Sequence, residues 1–235
     1  MRQIILDTET TGLRVEDGHR IIEIGCVELV NRRITSNHFH YYINPQRDID
    51  AGAAAVHGIT TEFLQDKPLF TDIIEAFMSF VNDDELIIHN APFDLSFLNN
   101  ELQLARGKWK LMTDHCSVID TLPMARKLHV GQRNNLDALC KRYGIDNSNR
   151  DLHGALLDAN LLARVYLAMT GGQGSFFDTS TNSSENENVR RAQQSVTPLQ
   201  KHHLVVLKAN DDELTEHQQY LDRIKKKGQC LWDEQ

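Results

Sequence analysis

Apolar and polar positions alternate in two different rhythms over the first 170 residues, dividing them into short strand-like and longer helix-like stretches. Three runs rich in Ile, Val and Tyr, namely Gln3 to Glu9, Ile21 to Val30 and Phe39 to Asn44, follow one another with no helical pattern between them. That order predicts neighbouring, antiparallel strands. Leu86 to His89 reads as a further, buried strand. Helical spacing recurs at Phe70 to Val81, Pro92 to Leu104, Asn135 to Tyr143 and Ala155 to Met169. Strands come first and helices mainly later, so the expected class is α/β, a layered fold with a central mixed sheet flanked by helices.

Gly171-Gly172 end the last long helical pattern, and small polar residues then dominate to about Ser195, which predicts a flexible linker. Beyond it Leu204 to Leu207 could form a strand. Leu214, His217, Leu221 and Ile224 lie at helical spacing ahead of Lys225-Lys226-Lys227 and the apolar tip Cys230-Leu231-Trp232. Roughly 35 residues cannot build an independent core. They form either a loose tail or a segment that docks on a partner, and an amphipathic helix with an exposed Leu-Trp tip favours docking. The expected division is a folded domain over 1–170, a linker over 171–200 and a docking segment over 201–235.

Composition narrows the classes. With 235 residues, 40% of them hydrophobic and 25% charged, the chain has the make-up of an ordinary globular protein. Its apolar runs are far shorter than the roughly 20 residues of a membrane-spanning helix. Asp7 interrupts Ile4-Ile5-Leu6 before a signal-peptide core could form, so a cytoplasmic location is expected. The four cysteines include no Cys-x-x-Cys pair, which disfavours disulfides and a zinc site and leaves reduced thiols. Charge adds a constraint, because 25 basic against 33 acidic residues give a net charge of −8. A phosphate-bearing substrate would have to be recruited through bound cations, a local basic patch or a tethering partner.

The sharpest chemical signal is Asp7-Thr8-Glu9 at the end of the first predicted strand. Residues two apart share a strand face, so both carboxylates project the same way. They repel unless a cation lies between them, and oxygen-only ligands suit Mg²⁺ or Mn²⁺. By itself the pair fits two solvated acids equally well. Asp94, two residues after Pro92, falls in the first turn of a predicted helix, where an acid also serves the helix dipole. Asp158 sits within the apolar stretch Ala155 to Ala163, where a charge needs a partner or a metal. His153 precedes it by about 140° of helix, so the two share a site only if His153 lies on the loop leading in, which Gly154 eases. Together Asp7, Glu9, Asp94, Asp158 and His153 would supply ligands for two divalent cations and one imidazole base, the inventory of metal-assisted phosphoryl transfer.

These residues, with Ile22-Glu23-Ile24-Gly25, Val56-His57-Gly58-Ile59, His89-Asn90-Ala91-x-Phe93-Asp94 and Asn135-Leu136-Asp137-Ala138-Leu139-Cys140, make the chain similar to the DEDD exonucleases whose last motif is His-x-x-x-x-Asp. More narrowly it resembles the proofreading exonucleases of bacterial DNA polymerase III. The resemblance implies a ribonuclease H-like fold, two Mg²⁺ or Mn²⁺ ions, and 3′→5′ removal of nucleoside monophosphates from single-stranded or frayed DNA ends. It places Thr10, Leu13, His57 and Asn90 against the substrate. A Glu common in the family stands here as Gly52, so the terminal sugar would be held by backbone groups or a neighbouring residue.

The ending Lys226-Lys227-Gly228-x-Cys230-Leu231-Trp232 resembles a polymerase-binding tail, with Leu221, Ile224, Leu231 and Trp232 as anchors on the catalytic (alpha) subunit. Gln173-Gly174-Ser175-Phe176-Phe177 is similar to the peptides by which bacterial proteins bind the sliding clamp, through Gln173, Ser175, Phe176 and Phe177. The two Phe rings could instead fold back on the domain. A small theta-like subunit is a further implied partner. Two other functions fit part of the pattern: a stand-alone exonuclease on small RNA or DNA, and a non-catalytic bridge between polymerase and clamp.

Overall fold

β1 (Arg2–Thr10) runs through the middle of a five-stranded sheet, and its alternating side chains feed two separate cores. In this computed structural model residues 1–171, apart from 82, 108, 149 and 151, and residues 210–226 are described. β1 pairs antiparallel with β2 (Ile21–Val30), which pairs antiparallel with β3 (Arg33–Tyr42). On its other side β1 runs parallel to β4 (Glu85–Ile88), and β4 parallel to β5 (Ser117–Asp120), giving the order β3-β2-β1-β4-β5. This is the mixed sheet of the expected α/β fold.

Ile4 and Leu6 point into a core with Phe39, Phe77 and Phe97, the last two from α3 (Phe70–Val81) and α4 (Ala91–Leu104). Ile5 points into the other, with Leu139 from α6 (Leu136–Tyr143) and Leu161 and Val165 from α7 (Ala155–Thr170). Asp7 and Glu9 share the parity of Ile5, so both carboxylates lie on the α7 face. Burying apolar residues on both faces explains why β1 and β2 read as nearly continuous hydrophobic runs.

Several elements differ from the sequence expectation. β3 starts at Arg33 rather than Phe39, because Asn31 and Arg32, with φ of 50° and 64°, close a tight turn that pairs polar residues along an edge strand. α1 (Ala51–His57) and α2 (Thr61–Leu64) carry too little apolar periodicity to be predicted, α5 (Thr121–Leu128) is short and contains Pro123, and β5 has only four residues. Helix α4 begins at Ala91, one residue ahead of Pro92, with Asn90 as its left-handed cap. The strand expected at Leu204 to Leu207 lies outside the described residues.

The chain divides into two units, Met1–Thr181 and Asn182–Gln235. In the second, α8 (Asp211–Lys225) matches the predicted helix and starts with a capping box, in which Asn210 and Glu213 satisfy each other's backbone N–H groups. Leu221 is buried, Ile224 half-buried, and Leu214 and Tyr220 are exposed. Among the described residues no helix is long and apolar enough to cross a membrane, and Cys26, Cys116 and Cys140 are buried and free.

One close approach sets the site. Gly25 on β2 faces Asp7 in register, and a Cβ added there would lie 2.2 Å from the Leu156 backbone nitrogen and 2.3 Å from the Ala155 carbonyl carbon. The first turn of α7 therefore rests directly on the strand. Gly25→Ala must push that turn away, and we expect a loss of about 1 to 3 kcal/mol in urea unfolding, typical of overpacking. An unchanged unfolding midpoint would contradict it.

Candidate active site

Chain ends converge beside that contact. β1 and β4 are parallel, so Asp7, Glu9 and the α4 start all lie at the carboxyl end of the sheet, where ligands of α/β folds collect. Asp94 occupies the first turn of α4 and accepts a 2.7 Å hydrogen bond from the Thr8 hydroxyl. Asp158 occupies the first turn of α7, capped by Gly154, and His153 stands on the loop just before it. All five residues line one cavity of about 940 Å³. Ligand atoms of Glu9, His153 and Asp158 lie within 4.8 Å of one another.

A backbone bond of 3.1 Å from His153 N to the Val56 carbonyl ties this loop to α1. Gly58, at φ 69°, packs so tightly on Leu152 that an added Cβ would come within 2.5 Å of its Cδ1. The Val56-His57-Gly58 segment is thus the seat of the His153 loop. A second cavity, of about 620 Å³, shares Thr8, Glu9 and Phe93 with the first and is lined also by Thr10, Leu13, Gly52 and His57. Thr10 turns its hydroxyl onto the Gly12 carbonyl, Leu13 is exposed, and His57 is buried with its Nδ1 accepting from Ile59 N. Asn90 lies in the first cavity, its N–H bonded to Asp120.

Electrostatics sort the acids. Burial, then the charges of Asp94, Glu9 and Asp158, holds Asp7 well above the usual carboxylate range. Burial, followed by Asp158, Glu23 and Asp94, pushes Glu9 up to about 8. Asp94 rises to about 7, mainly through burial and in spite of the Thr8 hydrogen bond. None of the three has an Arg or Lys partner among the described residues. Glu9 and Asp94, both buried, with half-buried Asp7 beside them, call for a cation from outside, and their donors are all oxygens.

One residue escaped the sequence reading. Arg150 lays both arms of its guanidinium on Asp158, with Nε to Oδ1 at 2.5 Å and Nη2 to Oδ2 at 2.6 Å. It also donates to Asp137 at 2.6 Å, and Nη2 lies 3.1 Å from His153 Nδ1. The only trace of it in the sequence is a single cation in a polar loop three residues before His153. Gln173, Ser175, Phe176, Phe177, Leu231 and Trp232 lie outside the described residues.

Fold and site define a nuclease of the acidic, metal-dependent kind. A family model described as Exonuclease matches residues 4–166, and the chain belongs to that exonuclease family. It is 49% identical over 237 residues to the DNA polymerase III subunit epsilon of Escherichia coli strain K12, covering 98% of this chain and 97% of that one. The Rickettsia prowazekii protein of the same name is 50% identical over 224 residues, covering 95% and 97%. Among solved structures, Exonuclease X in complex with 5′ overhanging duplex DNA superposes with a TM-score of 0.58 at 27% identity, covering 73% of this chain and 93% of that one. The chain is accordingly a 3′→5′ exonuclease that depends on divalent metal.

The raised carboxyl groups carry a pH signature. Over the interval from the ordinary 4.5 of Glu9 to about 8, the folded protein keeps a proton that the unfolded chain has lost. Stability of the metal-free protein is therefore full below that interval and falls as pH rises through it, by up to about 1.4 kcal/mol per pH unit and group. Glu9→Gln should match the wild type near pH 5 in EDTA and exceed it near pH 8 in chemical denaturation. Parallel pH profiles for the two proteins would refute the assignment.

Proposed function

We propose that the chain is the proofreading subunit of a bacterial DNA polymerase III, hydrolysing the last phosphodiester of a single-stranded or frayed DNA 3′ end to release a nucleoside monophosphate. The observation that carries this reading is the meeting of Asp7, Glu9, Asp94, His153 and Asp158 in one cavity, in a chain that matches epsilon subunits almost end to end.

Asp7, Glu9, Asp94 and Asp158 fit a pair of Mg²⁺ or Mn²⁺ ions, because their donors are all oxygens and the pKa values of the first three are raised by burial and by neighbouring acids. Two such ions supply Lewis-acid activation of water and of the scissile phosphate, and neutralise the leaving oxygen. His153, its side chain 42% exposed, opens onto the cavity and takes the proton of the attacking water. The second cavity receives the terminal nucleoside, between Thr10, Leu13 and His57. Gly52 has open space around its Cα, so no side chain at this position holds the sugar. Asn90 borders the path of the adjoining phosphate.

Polymerase binding falls to the segment 201–235, with Leu221, Ile224, Leu231 and Trp232 contacting the alpha subunit. Gln173, Ser175, Phe176 and Phe177 bind the sliding clamp, and a small theta-like subunit completes the assembly. Tethering of this kind suits a chain of net charge −8, since effective concentration at the primer end then needs no basic surface. Work at a replication fork places the protein in the cytoplasm.

Asp7→Ala and Glu9→Ala should each abolish Mg²⁺-dependent release of nucleotides from a labelled single strand, while His153→Ala lowers turnover by about 10²- to 10⁴-fold with metal affinity kept. Retained turnover in any of the three would displace that residue from its role. Truncation after Gly172 should leave hydrolysis intact and remove binding to the alpha subunit in a pull-down. Alanine at Gln173, Phe176 and Phe177 should weaken clamp binding in a titration. Full affinity in either assay would reassign the contact.

A further inference from the structure

Arg150 poses a problem for any reading in which Asp158 is a metal ligand. Its side chain is only 6% exposed, and both oxygens of Asp158, itself buried, are taken by one guanidinium fork. A fork of this type is among the strongest pairings available to a carboxylate. The same guanidinium carries a third bond to Asp137, whose side chain is 54% exposed. Its contact with His153 adds a further restraint: guanidinium groups only donate, so Nδ1 of His153 accepts, and a neutral ring then carries its proton on Nε2. One cation thus occupies the acid and ties up the base, whose Nδ1 lone pair is free to take a proton from water only once Arg150 has withdrawn.

We propose that Arg150 is a built-in counter-cation, a positioning residue that holds Asp158 and His153 in the metal-free protein and competes with divalent metal for Asp158. Asp137 is the anchor that keeps the guanidinium in place when it gives up Asp158. The geometry supports this division, since the fork spans a buried acid on α7 and an exposed one on α6. Without Arg150, a buried Asp158 would stand beside Asp7 and Glu9 with no positive charge near it, a costly arrangement. With it, the loop is ordered before metal arrives, at the expense of metal affinity. The proposal rests on Asp158 being a ligand, as the function above requires.

Mn²⁺ alone, titrated calorimetrically into the full-length protein, tests it without reference to turnover, with thermal melting in EDTA as a second readout. Arg150→Gln should bind Mn²⁺ about tenfold more tightly and melt lower in EDTA, with the gap narrowing when Mn²⁺ is added. Arg150→Lys, which keeps the charge and loses the fork, should fall between. Asp137→Asn should shift affinity the opposite way, and Asp158→Asn should bind more weakly and erase the effect of Arg150→Gln in the double variant. Unchanged or weaker Mn²⁺ binding in both Arg150 variants, where Asp158→Asn does weaken it, overturns the proposal alone. Equal binding by Asp158→Asn and wild type overturns it together with the ligand assignment.

Discussion

Half-buried Asp7 and buried Glu9 and Asp94 stand together with no ion-paired Arg or Lys among the described residues, and this repulsion, only partly offset by the charge of Arg150, is the constraint around which the domain is arranged. Other buried acids are treated differently. Arg2 pairs with Glu28, Arg20 forks onto Glu101 and His40 bonds Glu23. Where a charge serves only the fold, the chain supplies its partner. Where the chain withholds one, the site is poised for an external cation, in line with the upward direction of the Asp7, Glu9 and Asp94 pKa values.

Holding repelling groups together requires a rigid frame. β1 is paired with β4 over Gln3 to Ile5 and with β2 along its whole length, Asp7 and Glu9 included, and is packed on both faces, which limits how far the two acids can move apart. Gly25 brings the first turn of α7 against the sheet, which carries Asp158 to the same spot. Thr8, pointing the opposite way from its two acidic neighbours, reaches Asp94 on α4. Three elements far apart in sequence are thereby locked by short contacts between backbones and by single hydrogen bonds. Hydrolysis then depends on small displacements, because an ångström of slack in any of them is expensive in rate.

An acidic surface and a nucleic-acid substrate are reconciled at two scales. Locally, metal charge reverses the sign of the cavity. On the scale of the whole molecule, a tail carrying α8 with Leu214 and Tyr220 exposed is suited to holding the domain beside a partner that already grips DNA.

Much of this was legible in the sequence, for identifiable reasons. Continuous apolar runs located β1 and β2, and helical spacing located α3, α4, α6, α7 and α8, although in α8 only Leu221 is buried. Acids placed where acids are costly, Asp158 above all, disclosed the catalytic set. The polar first half of edge strand β3, the alanine-rich α1 and the short β5 escaped, since packing and turn geometry, not local pattern, make them form. Arg150 escaped for a related reason: an Arg in a polar loop looks solvated until the loop folds over α7. The candidate residues for the chemistry were readable from the chain alone, because burial cost restricts where charges can stand. Only the tertiary structure decided which charges neutralise one another, because an ion pair depends on distance in space, and Arg150, Asp137 and Asp158 meet only when α6 and α7 have packed on the sheet.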